Sequence, residues 1–280
     1  MLANSLISLL PQLSNAEALE VAAINSVAMQ APLAMAWRQR PIRTPHHSAT
    51  SVALVGGGNK ARPGEISLAH RGVLFLDELT EFKAGVLDAL REPLESGEIT
   101  VSRANYRVCF PAKFQLVAAM NPCPCGYAGD VRHECRCAPA KVERYLGKMS
   151  GPLLDRLDLF IEVPGLSHAE LLLRETKTVD MDAVKARVLQ CRNLQLQRVG
   201  KLNSELGAQE LMDYCQLGPR LGKVLATAME KLGMSARATH RVIKMARTIA
   251  DIEENQHIQR QDLMEAISYR KCKLISSLLR

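Results

Sequence analysis

Apolar residues follow two regimes along this chain. Up to about residue 165, short apolar runs alternate with glycine- and proline-rich stretches; beyond it, apolar positions recur at helical spacing. "NAEALEVAAINSVA", 15–28, predicts a helix starting at a capping Asn15. "MLANSLISLL" predicts another that stops before Pro11, so residues 1–40 read as helical. Residues 41–71 read as loop, with Pro41, Pro45, three consecutive glycines and Pro63. Two apolar runs, "GVLFL" (72–76) and "FQLVAAM" (114–120), predict buried strands, and "LFIEVP" (159–164) predicts a third, short strand. Between the first two, "KAGVLDALREPLE" predicts a helix with Val86, Leu87, Leu90 and Leu94 on one face and a kink at Pro93. "EITVSRANYRVCF" alternates as a hairpin turning near Asn105. The helical region breaks near Gly200, Gly218–Pro219 and Gly233, and there is no internal repeat.

Both central runs end in polar residues, Asp77-Glu78 after the first and Asn121 after the second. In an open parallel sheet, ligands bind outside the carboxyl ends of the strands. If the two runs are parallel neighbours, all three polar groups converge on one crevice. The helix and hairpin between them are long enough for the crossover that parallel strands need. Asp77 then holds Mg²⁺ directly or through water. Glu78 orients and deprotonates an attacking water, and Asn121 bonds that water or the terminal phosphate of ATP. The plainer alternative is a solvated turn after a strand.

Such chemistry also calls for a phosphate loop. "VALVGGGNKARPG", 52–64, offers a strand, three glycines and Lys60, but its spacing is not G-x-x-x-x-G-K-[ST]. Pro63 and Gly64 preclude a following helix, so the segment reads as a surface loop.

Composition narrows the class. Lys and Arg number 36 against 29 Asp and Glu, a net charge of +7 that suits a polyanionic partner or, more plainly, only solubility. No apolar run reaches the roughly 18 residues of a membrane-spanning helix. "MLANSLISLL" lacks the basic start and cleavage site of a signal peptide, so a cytoplasmic protein is expected, with its eight cysteines as thiols or metal ligands. Four of them, Cys123, Cys125, Cys135 and Cys137, form two C-x-C pairs separated by nine residues. Four thiolates in a short loop can enclose tetrahedral Zn²⁺, although C-x-C is tighter than the usual spacing. His133 is a substitute ligand, and four reduced thiols in a polar loop are the alternative. Cys109, Cys191, Cys215 and Cys272 read as scattered small apolar residues.

Several segments together resemble the magnesium-chelatase-like AAA+ ATPases, and within them the ComM (YifB-like) family. These are "RTPHHSATSVALVGGG…RPGEISLAHRGVLFLDEL", "LREPLESGEITVSRA", "LVAAMNPCPCGYAGD", "CRCAPAKVERYLGKMSGPLLDRLDL" and "SARATHRVIKMARTIADIE". The resemblance implies an α/β fold: an AAA+ core with a parallel sheet and hairpin insertions over residues 1–165, then a helical lid over 166–280. It places the family's phosphate loop just ahead of a helix reading like "MLANSLISLLPQL". The chain is thus expected to begin past that loop, as a C-terminal portion lacking the first strand.

By the same resemblance Asp77 and Glu78 match the Walker B acids and Asn121 matches sensor 1. Arg156 in "LLDRLDL" matches the arginine finger that acts on ATP in the neighbouring subunit of a ring; its local alternative is an ion pair with Asp155 or Asp158. Arg237 matches sensor 2, with Arg241 one turn later as competitor. The 98–108 hairpin matches an element that enters the channel of ring helicases, so Arg103 is expected to grip DNA phosphates. The second insertion makes His46, His47 and Lys60 further channel contacts, with plain solvation or a structural histidine pair as alternatives. The activity implied is that of a hexameric, ATP- and Mg²⁺-dependent helicase promoting branch migration in natural transformation. The alternatives are a magnesium-chelatase motor subunit and a non-catalytic assembly module.

Overall fold

A computed structural model of the chain describes residues 5–6, 8–28, 37–58, 61–130, 132–163, 165 and 179–270, excepting 104–105 and the side chains of Arg103 and Tyr106. The chain forms two compact units, one of residues 1–129 and 133–156, the other of residues 130–132 and 157–280.

In the first unit, helix α1 spans Asn15–Ala28, with Ala18, Val21 and Ile24 buried at helical spacing. The Ser14 N–H donates to Glu17 and the Glu17 N–H to Ser14 Oγ, a reciprocal cap one residue before the expected Asn15. The described residues of the segment ahead of Pro11 are helical at Ser5, Leu6 and Ser8. A parallel sheet follows, in the order β1 (Ile42–Arg43), then β4 (Val73–Leu76), then β7 (Gln115–Ala118). Between β1 and β4 lie helix α2 (Ser51–Val55), a small antiparallel pair β2 (Gly56–Gly57) and β3 (Arg62–Pro63), and helix α3 (Glu65–Leu68).

Residues 52–55 are therefore helical, not the strand their β-branched composition suggests. Thr50 decides this, its hydroxyl accepting the Ala53 N–H as an N-cap. Nor is 52–64 a free surface loop, because Gly56 and Gly64 are buried against each other's backbone. A Cβ on Gly64 would stand 2.3 Å from the Leu54 carbonyl oxygen.

Between β4 and β7 the expected kinked helix is two short ones, α4 (Ala84–Asp88) and α5 (Pro93–Ser96). Pro93 lacks an N–H and clashes with the turn before it, so the chain restarts with proline at the first helical position. The hairpin forms as expected, β5 (Glu98–Arg103) against β6 (Tyr106–Pro111), with Arg103 opposite Tyr106; its tip at Asn105 lies outside the described residues. Cys109 on β6 is exposed, contrary to its apolar reading, and its thiol donates to Glu98. Helices α6 (Pro139–Leu146) and α7 (Gly151–Leu154) complete the unit. Its core includes Leu54, Ile66, Leu74, Leu76, Phe82 and Leu153, all fully buried.

The second unit is helical. Residues 157–163, expected to hold a strand, form none. Among the described residues no neighbour pairs with them as a ladder, and Ile161 and Val163 are each 67% exposed. Helices α8 (Met181–Val199), α9 (Ala208–Tyr214), α10 (Pro219–Leu232), α11 (Ala236–Ile252) and α12 (Arg260–Ser268) follow. The glycine breaks are where the sequence puts them. Gly200 and Gly233 close α8 and α10 in left-handed conformation, φ 70° and 60°, and Pro219 opens α10 behind Gly218. Helix α11 buries Ala238, Val242, Ala246 and Ala250 at four-residue intervals, the last three in one cluster with Leu211, Leu263 and Ile267. No helix among the described residues is long and apolar enough to cross a membrane. This mixture of a parallel sheet with a helical C-terminal region is the fold class expected from the sequence.

Candidate functional site

Four consecutive residues of β4 pair in parallel with β7, Val73 to Leu76 against Gln115 to Ala118. Val73, Leu74 and Leu76 are buried, but β7, expected to be buried, is not, with Gln115 and Ala118 exposed and Leu116 and Val117 half-buried; the four-residue ladder itself sets the register. Both strands therefore end on the same edge of the sheet. Asp77 and Glu78 follow β4 at once and are exposed; Asn121 is also exposed, after Ala119 and Met120 beyond β7. Hydrogen bonds carry the pairing past the strands: Ala119 N–H to the Leu76 carbonyl and Leu79 N–H to the Ala119 carbonyl, both 2.9 Å.

The turn at the acids is built tightly. Asp77 Oδ1 accepts the Glu78 N–H at 3.0 Å. Glu78 itself is left-handed, at φ 52° and ψ 51°, a conformation that costs an L-residue about 1–2 kcal/mol. A 3₁₀ turn over Leu79–Glu81 follows and buries Leu79 and Thr80. Lys148 reaches in to donate to the Thr80 carbonyl at 2.6 Å. Two exposed carboxylates at this edge are hard oxygen donors of the kind Mg²⁺ takes, so the donor set fits that ion.

The histidines have partners inside the same unit. His47 Nδ1 stands 3.1 Å from Glu78 Oε2, its ring 4.0 Å from that of His46 and edge-on to Phe82 at 6.5 Å. His46 Nδ1 pairs with Ser48 Oγ at 2.9 Å. Sequence reasoning missed the contact between His47 and Glu78, because no spacing signals it. Lys60 lies outside the described residues, and Arg103 is placed by its backbone alone, at the end of β5.

Arg156 forms an ion pair with Glu95 and donates to the Pro152 carbonyl at 2.6 Å, its side chain 10% exposed. The expected local partners are thus replaced by one from α5, while Asp158 pairs with Arg241 Nη1 at 2.6 Å. Arg237 is exposed in the first turn of α11, behind Ser235, whose hydroxyl accepts the Ala238 N–H.

The cysteines do converge. The four Sγ atoms of Cys123, Cys125, Cys135 and Cys137 all lie within 4.8 Å of one another. Cys123 is buried, and its sulfur accepts the Ala128 N–H at 3.3 Å. The Tyr127 backbone N–H, aided by the Cys123 thiol, draws the Cys125 thiol down to about 6. Cys135 is pushed up to about 12: its Cys137 N–H contact lowers it, but the sulfurs of Cys123 and Cys125 and desolvation outweigh that. One thiolate is therefore tolerated where several repel, a charge pattern that a dication relieves. His133 instead stacks on Tyr127, ring centroids 4.9 Å apart, and among the described residues the cluster is cysteine alone.

Two family models match in tandem, that of magnesium chelatase, subunit ChlI, over residues 1–171 and that of its C-terminal part over 179–270. The chain belongs to the magnesium chelatase ChlI family. Among curated proteins, this ChlI-family chain is 48% identical over 270 residues to "Competence protein ComM" of Haemophilus influenzae, covering 96% of this chain and 53% of that protein. It is 50% identical over 272 residues to the uncharacterized protein YifB of Escherichia coli, with the same coverage. The chloroplastic magnesium-chelatase subunit ChlI of rice is 27% identical over 179 residues, 62% of this chain and 37% of its own. The chain thus spans about half the length of the first two relatives.

Proposed function

We propose that these residues form the Walker B, sensor and lid portion of an ATP-dependent, ring-forming DNA motor of the competence-protein type, acting in the cytoplasm. In this reading residues 1–165 are the AAA+ core and 166–280 its lid. The observation that supports it is the parallel pairing of β4 with β7, which gives Asp77, Glu78 and Asn121 a common sheet edge. Asp77 holds Mg²⁺, which when bound with ATP neutralises charge on the phosphates. Glu78 takes the proton of the attacking water, and Asn121 hydrogen-bonds that water or the γ-phosphate. Arg156 leaves Glu95 on assembly and faces the nucleotide of the next subunit of a hexamer, while Arg237, or its competitor Arg241, reaches the γ-phosphate. Arg103, Lys60 and His46 line the DNA channel, and His47 joins them when it is not on Glu78. The four cysteines take Zn²⁺.

A second reading, a chelatase ATPase subunit, is favoured by the family's description and the rice relative. The higher identity to a competence protein favours DNA. A third, a non-catalytic assembly module, draws on the lack of G-x-x-x-x-G-K-[ST] in these residues, whose backbone and lysine would cradle the phosphates. Binding of fluorescent single-stranded DNA to the purified chain tests the leading reading. Affinity is expected to fall steeply with salt and to drop in Arg103→Ala regardless of sequence. Salt-independent binding, or none at low salt, counts against it.

A further inference from the structure

The loop after β7 has little of its own to hold it. Residues 119–138 form no helix or strand among those described, and within that stretch Cys123 is the one buried apolar side chain. Gly126 and Gly129, at φ 84° and 85°, turn the chain so that the second C-x-C pair returns to the first. The Gly126 N–H closes a turn on the Cys123 carbonyl at 3.0 Å. Three of the resulting Sγ–Sγ separations are 3.3, 3.6 and 3.6 Å, for Cys123–Cys125, Cys123–Cys135 and Cys125–Cys135.

These lengths discriminate between chemistries. A disulfide needs sulfurs about 2.05 Å apart, and all four cysteines are free thiols. A tetrahedral site with Zn–S bonds of about 2.3 Å has edges of about 3.8 Å. Three edges of the observed cluster are slightly shorter than that, and the rest are at most 4.8 Å. With four sulfurs and no carboxylate or histidine among its described ligands, the site has no open position for substrate or water, the pattern of a structural ion rather than a catalytic one.

We infer that Zn²⁺ bound by Cys123, Cys125, Cys135 and Cys137 is the fold-determining element of loop 122–138, and that it anchors the backbone carrying Asn121. The inference rests on the zinc reading above and adds the ion's role. Asn121, whose side chain makes no hydrogen bond among the described residues, lies two residues after Ala119, which the β4 ladder holds, and two before Cys123, so the metal knot is the fixed point on its C-terminal side. On metal loss the loop unravels while the strand ladder of β4 and β7 persists.

The test uses the purified chain under reducing conditions. Elemental analysis is expected to give about one zinc per chain, and Co²⁺ substitution the intense thiolate charge-transfer and tetrahedral d–d bands of a four-sulfur site. Stripping with a zinc chelator is expected to speed tryptic cleavage after the exposed Arg136 by an order of magnitude or more, with the far-UV circular dichroism nearly unchanged. Cys125→Ser, at an exposed thiol, is expected to reproduce that sensitivity without unfolding the chain. Amide hydrogen exchange over 119–123 is expected to rise in both. Zinc present but proteolysis and exchange unaltered by its removal overturns the structural role and leaves the zinc reading standing. Protein without zinc, or a disulfide-linked loop, overturns both.

Discussion

The buried ion-pair network of the helical unit yields the most quantitative prediction. The Asp251 side chain is 1% exposed and is surrounded by donors. It pairs with the Arg198 guanidinium, accepts Arg247 Nε at 3.1 Å and Asn203 Nδ2 at 2.8 Å. Arg247, 3% exposed, also donates to the carbonyls of Asn255 and Gln256 and so fixes the turn after α11. Asp251→Ala removes the counter-ion and leaves two guanidinium groups sharing an uncompensated site. Breaking such a pair costs about 3–5 kcal/mol. Arg198, with 25% of its side chain exposed, can turn to water, which places this case near 3 kcal/mol. With a urea m-value of about 1–3 kcal/mol/M the unfolding midpoint falls by about 1 M or more. Because the chain has two compact units, the assay is hydrogen-exchange mass spectrometry of peptides from 181–268 along a urea series, which reads this unit alone. Asp251→Leu combined with Arg247→Met replaces charge by apolar volume and is expected to recover most of the loss. An Asp251→Ala midpoint within about 0.2 M of the parent, equivalent to under about 0.6 kcal/mol, would refute the reasoning.

Three further outcomes follow from the first unit. Gly72→Ala would put a Cβ 1.9 Å from the Pro41 carbonyl oxygen, so it is expected to break the β1–β4 junction and abolish soluble expression, whereas Gly85→Ala, in open space, is expected to be tolerated. Glu78→Gly relieves a left-handed residue and is expected to raise thermal stability by about 0.5–1 kcal/mol even as it removes the proposed base; a melting temperature below the parent's would show that the strain is not stored there. Acid is expected to weaken this unit in two stages, read as urea midpoints from pH 8 to pH 3. Burial depresses the pKa of His70, so the folded state resists its protonation and stability falls as pH drops below about 6.5. Glu20, drawn down to about 2 chiefly by its hydrogen bond from Arg71, contributes stability above about 4.5 that is lost toward pH 2, a small share because its side chain is 44% exposed.

What the sequence revealed depended on whether a residue's role is set locally. "GVLFL" is buried on both faces, and that burial writes itself as an unbroken apolar run whose end marks the ligand edge, whereas "FQLVAAM" is legible as a strand although Gln115, Ala118 and Ala119 are exposed and Leu116 and Val117 only half-buried. The helix at 15–28 and the breaks at Gly200 and Gly233 carry their caps in the sequence. Where local preferences compete, the pattern misleads: β-branched residues at 52–55 favour a strand, and one threonine hydroxyl at position 50 makes a helix. Residues 159–163 have the composition of a strand but pair with no edge among the described residues. The site divides in the same way. Asp77, Glu78 and Asn121 were legible as terminators of runs. The partners of Glu78 and Arg156, His47 and Glu95, were not, since an ion pair between distant segments leaves no period to read. The cysteine cluster was legible as composition, while its closure turns on two left-handed glycines between the pairs.

The proposed site of DNA-stimulated ATP hydrolysis is the edge shared by β4 and β7. The most direct measurement joins these 280 residues to the part of the Escherichia coli relative that they do not cover, and follows steady-state ATP turnover with and without single-stranded DNA. DNA-stimulated turnover is expected, falling at least about 10²-fold in Glu78→Gln with the assembly intact by light scattering. Equal turnover by the parent and Glu78→Gln chimeras would contradict it.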